Sequence, residues 1–186
     1  MNRMKVIGIV GMPGSGKGEV SGIARKLGIP VVVMGDVIRE RAREAGLPPT
    51  DENLGAISAQ LRTDLGMDAI ARLTIPVIES QGAPVVLVDG IRGDREVAVF
   101  REHFPDFTLI AIDSSFETRY RRLAKRGRPD DTLTPDELRA RDERELGWGL
   151  GRALELADYR IENEGSLEEF TAEVRGLLSR LAGVDG

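Results

Sequence analysis

Eight residues, Gly11-Met12-Pro13-Gly14-Ser15-Gly16-Lys17-Gly18, limit what this chain can become more than any other stretch. They follow an apolar run, residues 6–10, without a gap, and lead straight into a helical pattern over residues 19–27. Glycines let successive backbone N–H groups turn inward, and a helix begun immediately afterwards adds the positive end of its dipole. Such a bend seats a nucleotide polyphosphate, and Lys17 supplies a mobile full charge that can follow the terminal phosphate. The competing reading is a glycine-rich turn that binds nothing. The order strand, loop, lysine, helix weighs against it, and Glu19 joins the cradle as part of the first helical turn.

Four further apolar runs, at residues 31–34, 85–88, 108–112 and 159–161, alternate with longer helical patterns. The first four of the five runs are continuously apolar, as strands buried on both faces are, and the last is more polar, as an edge strand is. The alternation predicts an α/β fold: a P-loop NTPase three-layer sandwich with a five-stranded parallel sheet and helices on both faces. No repeat or linker divides the chain, so residues 1–186 read as a single domain. The stretch between the second and third runs is far longer than a crossover needs and is helical in pattern. It predicts a helical insertion over residues 36–80, in which Asp51 caps a helix reaching residue 65. Ser114-Ser115-Phe116-Glu117 and Thr134-Pro135-Asp136-Glu137 both read as capping boxes, the first opening an arginine-rich helix that stops at Gly127. Between them a short polar lid is expected over residues 126–140.

The cradle departs from the common phosphate loop at one place. Gly18 stands where a Ser or Thr hydroxyl usually meets Mg²⁺, so the metal must find oxygens elsewhere. Asp89 ends an apolar run at the carboxyl edge of the sheet and is one candidate, although it also precedes Gly90 in a turn. Asp36 is the other, with helix capping as its competing role.

Composition removes several function classes. The chain has 186 residues, no cysteine and one histidine, His103, so disulfides, thiolate zinc sites and histidine clusters are excluded. The net charge of −5 disfavours a nucleic-acid coat, which needs a basic surface. Absence of a secretory pattern near the N-terminus and of any apolar run near 20 residues predicts a cytoplasmic protein with no membrane partner. Of 26 basic residues 22 are arginine, which suits an anion-handling site and is equally well explained by genome composition. Trp148 either stacks on a base or anchors a helix to the core.

The loop, with Pro13 and with Gly18 after the lysine, resembles that of adenylate kinases and related nucleoside monophosphate kinases. The likeness extends to Met34-Gly35-Asp36-Val37-Ile38-Arg39, similar to the segment that opens the acceptor-binding helix, and to Val88-Asp89-Gly90-Ile91-Arg92, where the arginine falls one place early. The resemblance implies that Asp36, Arg39 and either Arg92 or Arg95 bind the acceptor, and that Arg126, Arg128 and Arg139 close over the phosphates as a short lid. The segment Asn163-Glu164-Gly165-Ser166 resembles instead the end of dephospho-coenzyme A kinases, which implies Asn163 near the adenine. The activity so implied is ATP-dependent phosphoryl transfer, with Mg²⁺, to an AMP-like acceptor. Dephospho-coenzyme A is the alternative acceptor; an NTPase switch or assembly factor without an acceptor, and an RNA-associated ATPase, are the alternatives outside the kinases.

Overall fold

A computed structural model describes residues 4–127 and 134–184. Its sheet has five parallel strands in the order β2-β3-β1-β4-β5: β1 (Lys5–Gly11), β2 (Val31–Val33), β3 (Val85–Ile91), β4 (Asp106–Asp113) and β5 (Tyr159–Glu162). The intervening helices are α1 (Lys17–Lys26), α2 (Met34–Glu44), α3 (Asp51–Leu65), α4 (Ala69–Glu79), α5 (Asp94–His103), α6 (Phe116–Arg126), α7 (Pro135–Gly147), α8 (Leu150–Glu155) and α9 (Leu167–Ala182).

The two-residue period of a strand sends alternate side chains to opposite faces, and here both faces are covered. On one, Val6, Val10, Val86 and Val88 meet Ile70 and Ile78 of α4, Phe100 of α5 and Leu150 of α8. On the other, Ile7, Ile9, Leu87 and Ile110 meet Val20 and Ile23 of α1 and Phe170, Val174 and Leu178 of α9. This is the expected three-layer sandwich, and the strand order changes direction at β1, so the crevice of the fold opens at the carboxyl ends of β1 and β3.

Three local readings are corrected. The second apolar run is a three-residue strand at the sheet's edge, because Met34 already begins α2. Thr50, rather than Asp51, caps α3 by accepting from the Asn53 N–H. Ser115, rather than Ser114, caps α6 with the Thr118 N–H, leaving Glu117 outside the box; the Ser115 N–H is taken by the carboxylate of Glu164. The box at Thr134 and Glu137 forms as read, and Gly127 ends α6 at φ 63. None of the helices among the described residues is long and apolar enough to cross a membrane.

Candidate active site

The first turn of α1 has no side-chain cap: Gly16 is its N-cap, and a glycine offers the Lys17 and Gly18 N–H groups nothing to bond. Three positions in the loop require glycine: a Cβ at Gly11 would stand 2.9 Å from the Ile112 carbonyl. Gly14 and Gly16 have φ of 78 and 113, and a Cβ at Gly16 would run into the Asn163 amide. Gly18 is different, since a Cβ there meets no atom within 4 Å. The hydroxyl missing at that position is therefore absent for no steric reason.

Lys17 folds back on its own loop, donating from Nζ to the carbonyls of Gly11 (2.8 Å) and Met12 (3.0 Å). Burial, then the nearby Arg92 guanidinium, pulls its ammonium down from 10.5 to about 7, against the opposite pull of Asp89 and Glu145. The ammonium is thus a buried charge that an incoming anion would favour. Pro13 and Ser15 carry the loop's remaining supports. Arg119 of α6, buried, donates to the Pro13 carbonyl (3.0 Å) while forming a two-pronged pair with Asp142 of α7 (2.9 and 2.7 Å). The Asn163 amide donates to the Ser15 carbonyl (2.9 Å), and Arg122 donates to the Asn163 carbonyl (2.8 Å) and to Ser114 Oγ (2.9 Å). Asn163, expected beside the base, is buried with its side chain committed to the loop's backbone, and Ser166 after it caps α9. Glu19 is exposed in the first turn of α1.

Asp89, within β3 and in register with Ile9 of β1, accepts from the buried Ser21 hydroxyl (3.0 Å), one turn along α1 from the vacant hydroxyl position. Among the described residues no group of three or more His, Cys, Asp or Glu is placed to enclose a metal ion. The donor set fits Mg²⁺, which is ordinarily held by one or two carboxylates, waters and the substrate's own phosphates. Asp89 is the carboxylate that would hold it. Asp36 is exposed, ion-paired with Arg39 (2.8 Å), and lies in a groove along the outer edge of β2. That groove, at about 460 Å³, is larger than the cleft described next, at about 100 Å³, but it is lined by three carboxylates, Asp36, Glu40 and Glu44, against one arginine, Arg41, and each carboxylate is already paired with an arginine of α2.

The cleft lies between α2, α3, the end of β3 and α7. Arg39, Arg62, Arg92, Arg141 and Arg144 line it, with Asp51, Glu145 and Trp148. Of the two expected arginines, Arg92 lines it and Arg95 is exposed on α5. Arg92 is fixed twice: its N–H donates to Glu96 (2.6 Å) and its Nη1 to Glu145 (2.9 Å). Glu96 is paired in turn with the buried Arg62 (2.9 Å), and Glu145 with Arg141 (3.4 Å). Burial pushes the Glu145 carboxyl up, and Arg92, Arg141 and Lys17 together hold it lower than its ordinary value, so it is a carboxylate at neutral pH. Arg144 pairs with Asp51 across the mouth (3.1 Å). Trp148, half-buried, has the Arg62 guanidinium 4.2 Å from its ring centre, so the indole serves the cleft wall as well as the end of α7.

Of the expected lid arginines, Arg126 is exposed at the end of α6. Arg139 is exposed on α7, paired with Asp136 (3.0 Å) and set over the Phe116 ring at 4.9 Å. Arg128 lies outside the described residues. Glu96, Arg62, Arg141, Asp142, Arg144 and Glu145 escaped the sequence reading; a charge on a helix without its partner's position reads as solvated, and, Arg141 with its neighbour Glu145 aside, their partners lie 23 to 93 residues away.

Known proteins bear on this site in three ways. Residues 10–139 match the AAA domain family model. The chain is 79% identical over 180 residues to the UPF0200 protein of Methanoculleus marisnigri, covering 97% of this chain and 98% of that one. In fold it is similar to a shikimate kinase from Acinetobacter baumannii (TM-score 0.62, 17% identity, 97% and 94% of the two chains) and to a gluconokinase from Sinorhizobium meliloti 1021 (TM-score 0.58, 21% identity, 97% and 95%).

Proposed function

We propose that this chain, which belongs to the UPF0200 family and carries an AAA domain, is an ATP-dependent phosphotransferase whose acceptor is a small anion of the nucleoside monophosphate type. One observation carries the reading: the phosphate cradle and the arginine cleft are tied to the same helix, α7, through Asp142, Arg119 and the Pro13 carbonyl on one side and through Glu145 and Arg92 on the other. A loop that only hydrolysed ATP has no use for a second anion site on the same helix. The likeness to small-molecule kinases in fold supports the reading without naming the acceptor.

Phosphoryl transfer asks for alignment and charge neutralisation more than for covalent help. The loop's N–H groups and Lys17 hold the donor's β- and γ-phosphates. Arg39 and Arg92 hold the acceptor's anionic group, and the partly buried cleft limits water. As an acceptor oxygen bonds the γ-phosphorus, the bond to the β–γ bridging oxygen breaks and its electron pair leaves with ADP. Lys17 faces the charge that spreads during transfer, and Asp89, held by the Ser21 hydroxyl, would hold Mg²⁺. When bound, that ion neutralises phosphate charge.

The test is a coupled assay of ADP release across nucleoside monophosphates and dephospho-coenzyme A, with Lys17→Ala as control. Release stimulated by AMP or another monophosphate and abolished in Lys17→Ala is the expected result. ATP bound and hydrolysed with no acceptor stimulating it would replace the kinase by an NTPase switch.

A further inference from the structure

Two buried carboxylates stand one turn apart on α7: Asp142, 8% exposed, and Glu145, 3% exposed. At a spacing of three residues they share a face of the helix. Asp142 grips Arg119, whose other contact is the carbonyl of Pro13 in the donor loop. Glu145 grips Arg92, which lines the acceptor cleft. Buried ion pairs give little net stability, because desolvation offsets the attraction. What they do fix is geometry, and here both bonds end on one rigid helix.

We propose that α7 is the spacer of the active site, with Asp142 and Glu145 as positioning residues that set the donor loop and the acceptor arginine at the separation transfer requires. Neither carboxylate touches a reacting atom. Asp142 acts through Arg119 on the backbone of Pro13, and Glu145 acts through Arg92, whose backbone is held independently by Glu96. Arg141 leans on Glu145 from the same helix, and Arg62 on Glu96 from α3, so Arg92 is held by Glu96 at its backbone N–H and by Glu145 at its guanidinium, each carboxylate itself fixed by a second arginine. The inference rests on the kinase reading for the identity of the two ligands, and its test uses binding so that the two can fail separately.

Electrostatics and positioning predict opposite signs. Removing a buried carboxylate beside anion-binding cations should tighten anion binding if charge alone matters. If the carboxylate aims its arginine, removal should weaken binding by roughly 10- to 100-fold, the loss usual for groups that orient a ligating residue. Trp148 is the chain's one tryptophan and lines the cleft, so its fluorescence reads acceptor binding directly. The experiment titrates AMP and orthophosphate by Trp148 fluorescence, and Mg-ATP by calorimetry, in E145Q, E145D and D142N.

Positioning expects E145Q to lose affinity for AMP and orthophosphate while its ATP affinity holds or rises. It expects E145D, which keeps the charge and loses a methylene of reach, to lose AMP affinity as well. D142N should show the mirror image, with weaker ATP and AMP affinity changed by no more than about twofold. Tighter AMP binding in E145Q, equal losses of both ligands in both variants, or failure of both Glu145 variants to fold would overturn the proposal and leave these carboxylates to stability. A wild-type protein that binds both ligands but transfers no phosphate contradicts the kinase reading alone; one that binds neither contradicts both.

Discussion

Lys17 concentrates the chemistry of the donor site in one titration. Its free-state value of about 7 lies below the 10.5 of an unfolded lysine, so the folded chain carries fewer protons between those limits and gains stability as pH rises through them. A bound triphosphate favours the ammonium and raises that value. Nucleotide binding near pH 8 should therefore take up close to one proton per site, and affinity should fall as pH rises from about 7 toward 9. Calorimetry in buffers of different ionisation enthalpy measures the uptake; Lys17→Met should abolish it, and equal heats in all buffers for the native chain would assign the pH dependence elsewhere.

The loop's glycines divide at the same scale. Gly16→Ala meets about 1–2 kcal/mol of left-handed strain and a collision with Asn163, so a lower Tm and lost ATP binding are expected. Gly18→Ser has open space and should fold and bind as the native chain does. Thermal melts with and without Mg-ATP separate the two, and a G18S chain that failed to bind would mean the space at residue 18 is needed by the nucleotide. The cradle was legible from sequence because all its determinants are local: a strand, three glycine positions, a lysine and a helix start within a dozen residues. Asn163 stands out in its motif, but its partner, the Ser15 carbonyl, is 148 positions away, and only the fold reveals that the amide supports the loop.

Among elements, α6 is where sequence patterning misleads most. Its arginines read as one basic surface, yet Arg119 is buried against Asp142 and the loop, Arg122 ties the loop to the end of β5, and Arg121 and Arg126 face solvent. Helical periodicity says which residues share a face and nothing about which face another element covers. The same holds for the shifted cap at Ser115, where two adjacent serines compete and the Glu164 carboxylate, arriving from beyond β5, takes the backbone N–H of the second. Asn163→Ala tests the strut between these elements. It strips the Ser15 carbonyl of a buried partner, which costs about 1–3 kcal/mol, and should lower Tm and weaken ATP binding together. Weakened binding at unchanged Tm would instead assign the amide a direct contact with nucleotide.

At the scale of the whole molecule, an acidic chain holds two basic recesses tied to the same helix. The net charge of −5 is compatible with this because carboxylates pair with many of the arginines, and those lining the cleft still outnumber its acids. The fold class was readable from the alternation of apolar runs and helices. The cleft was not, since it is assembled from α2, α3, β3 and α7, whose meeting depends on tertiary packing. Ligands that bind only the folded state stabilise it, and at a hundredfold excess over Kd the gain is about 2.7 kcal/mol, a Tm rise of roughly 5–10 °C for a chain of this size. Mg-ATP and AMP should each raise Tm, and together raise it further. A rise with Mg-ATP that AMP never extends would point to hydrolysis without an acceptor.

The central claim, that the bend between β1 and α1 holds a triphosphate by main-chain amides and one ammonium, is tested most directly by titrating Mg-ATP into the native chain and into Lys17→Ala in a calorimeter. Saturable binding at one site per chain, lost or weakened at least about a hundredfold in the variant, is the expected result. No heat with any purine triphosphate, or equal affinity in the two proteins, would contradict it.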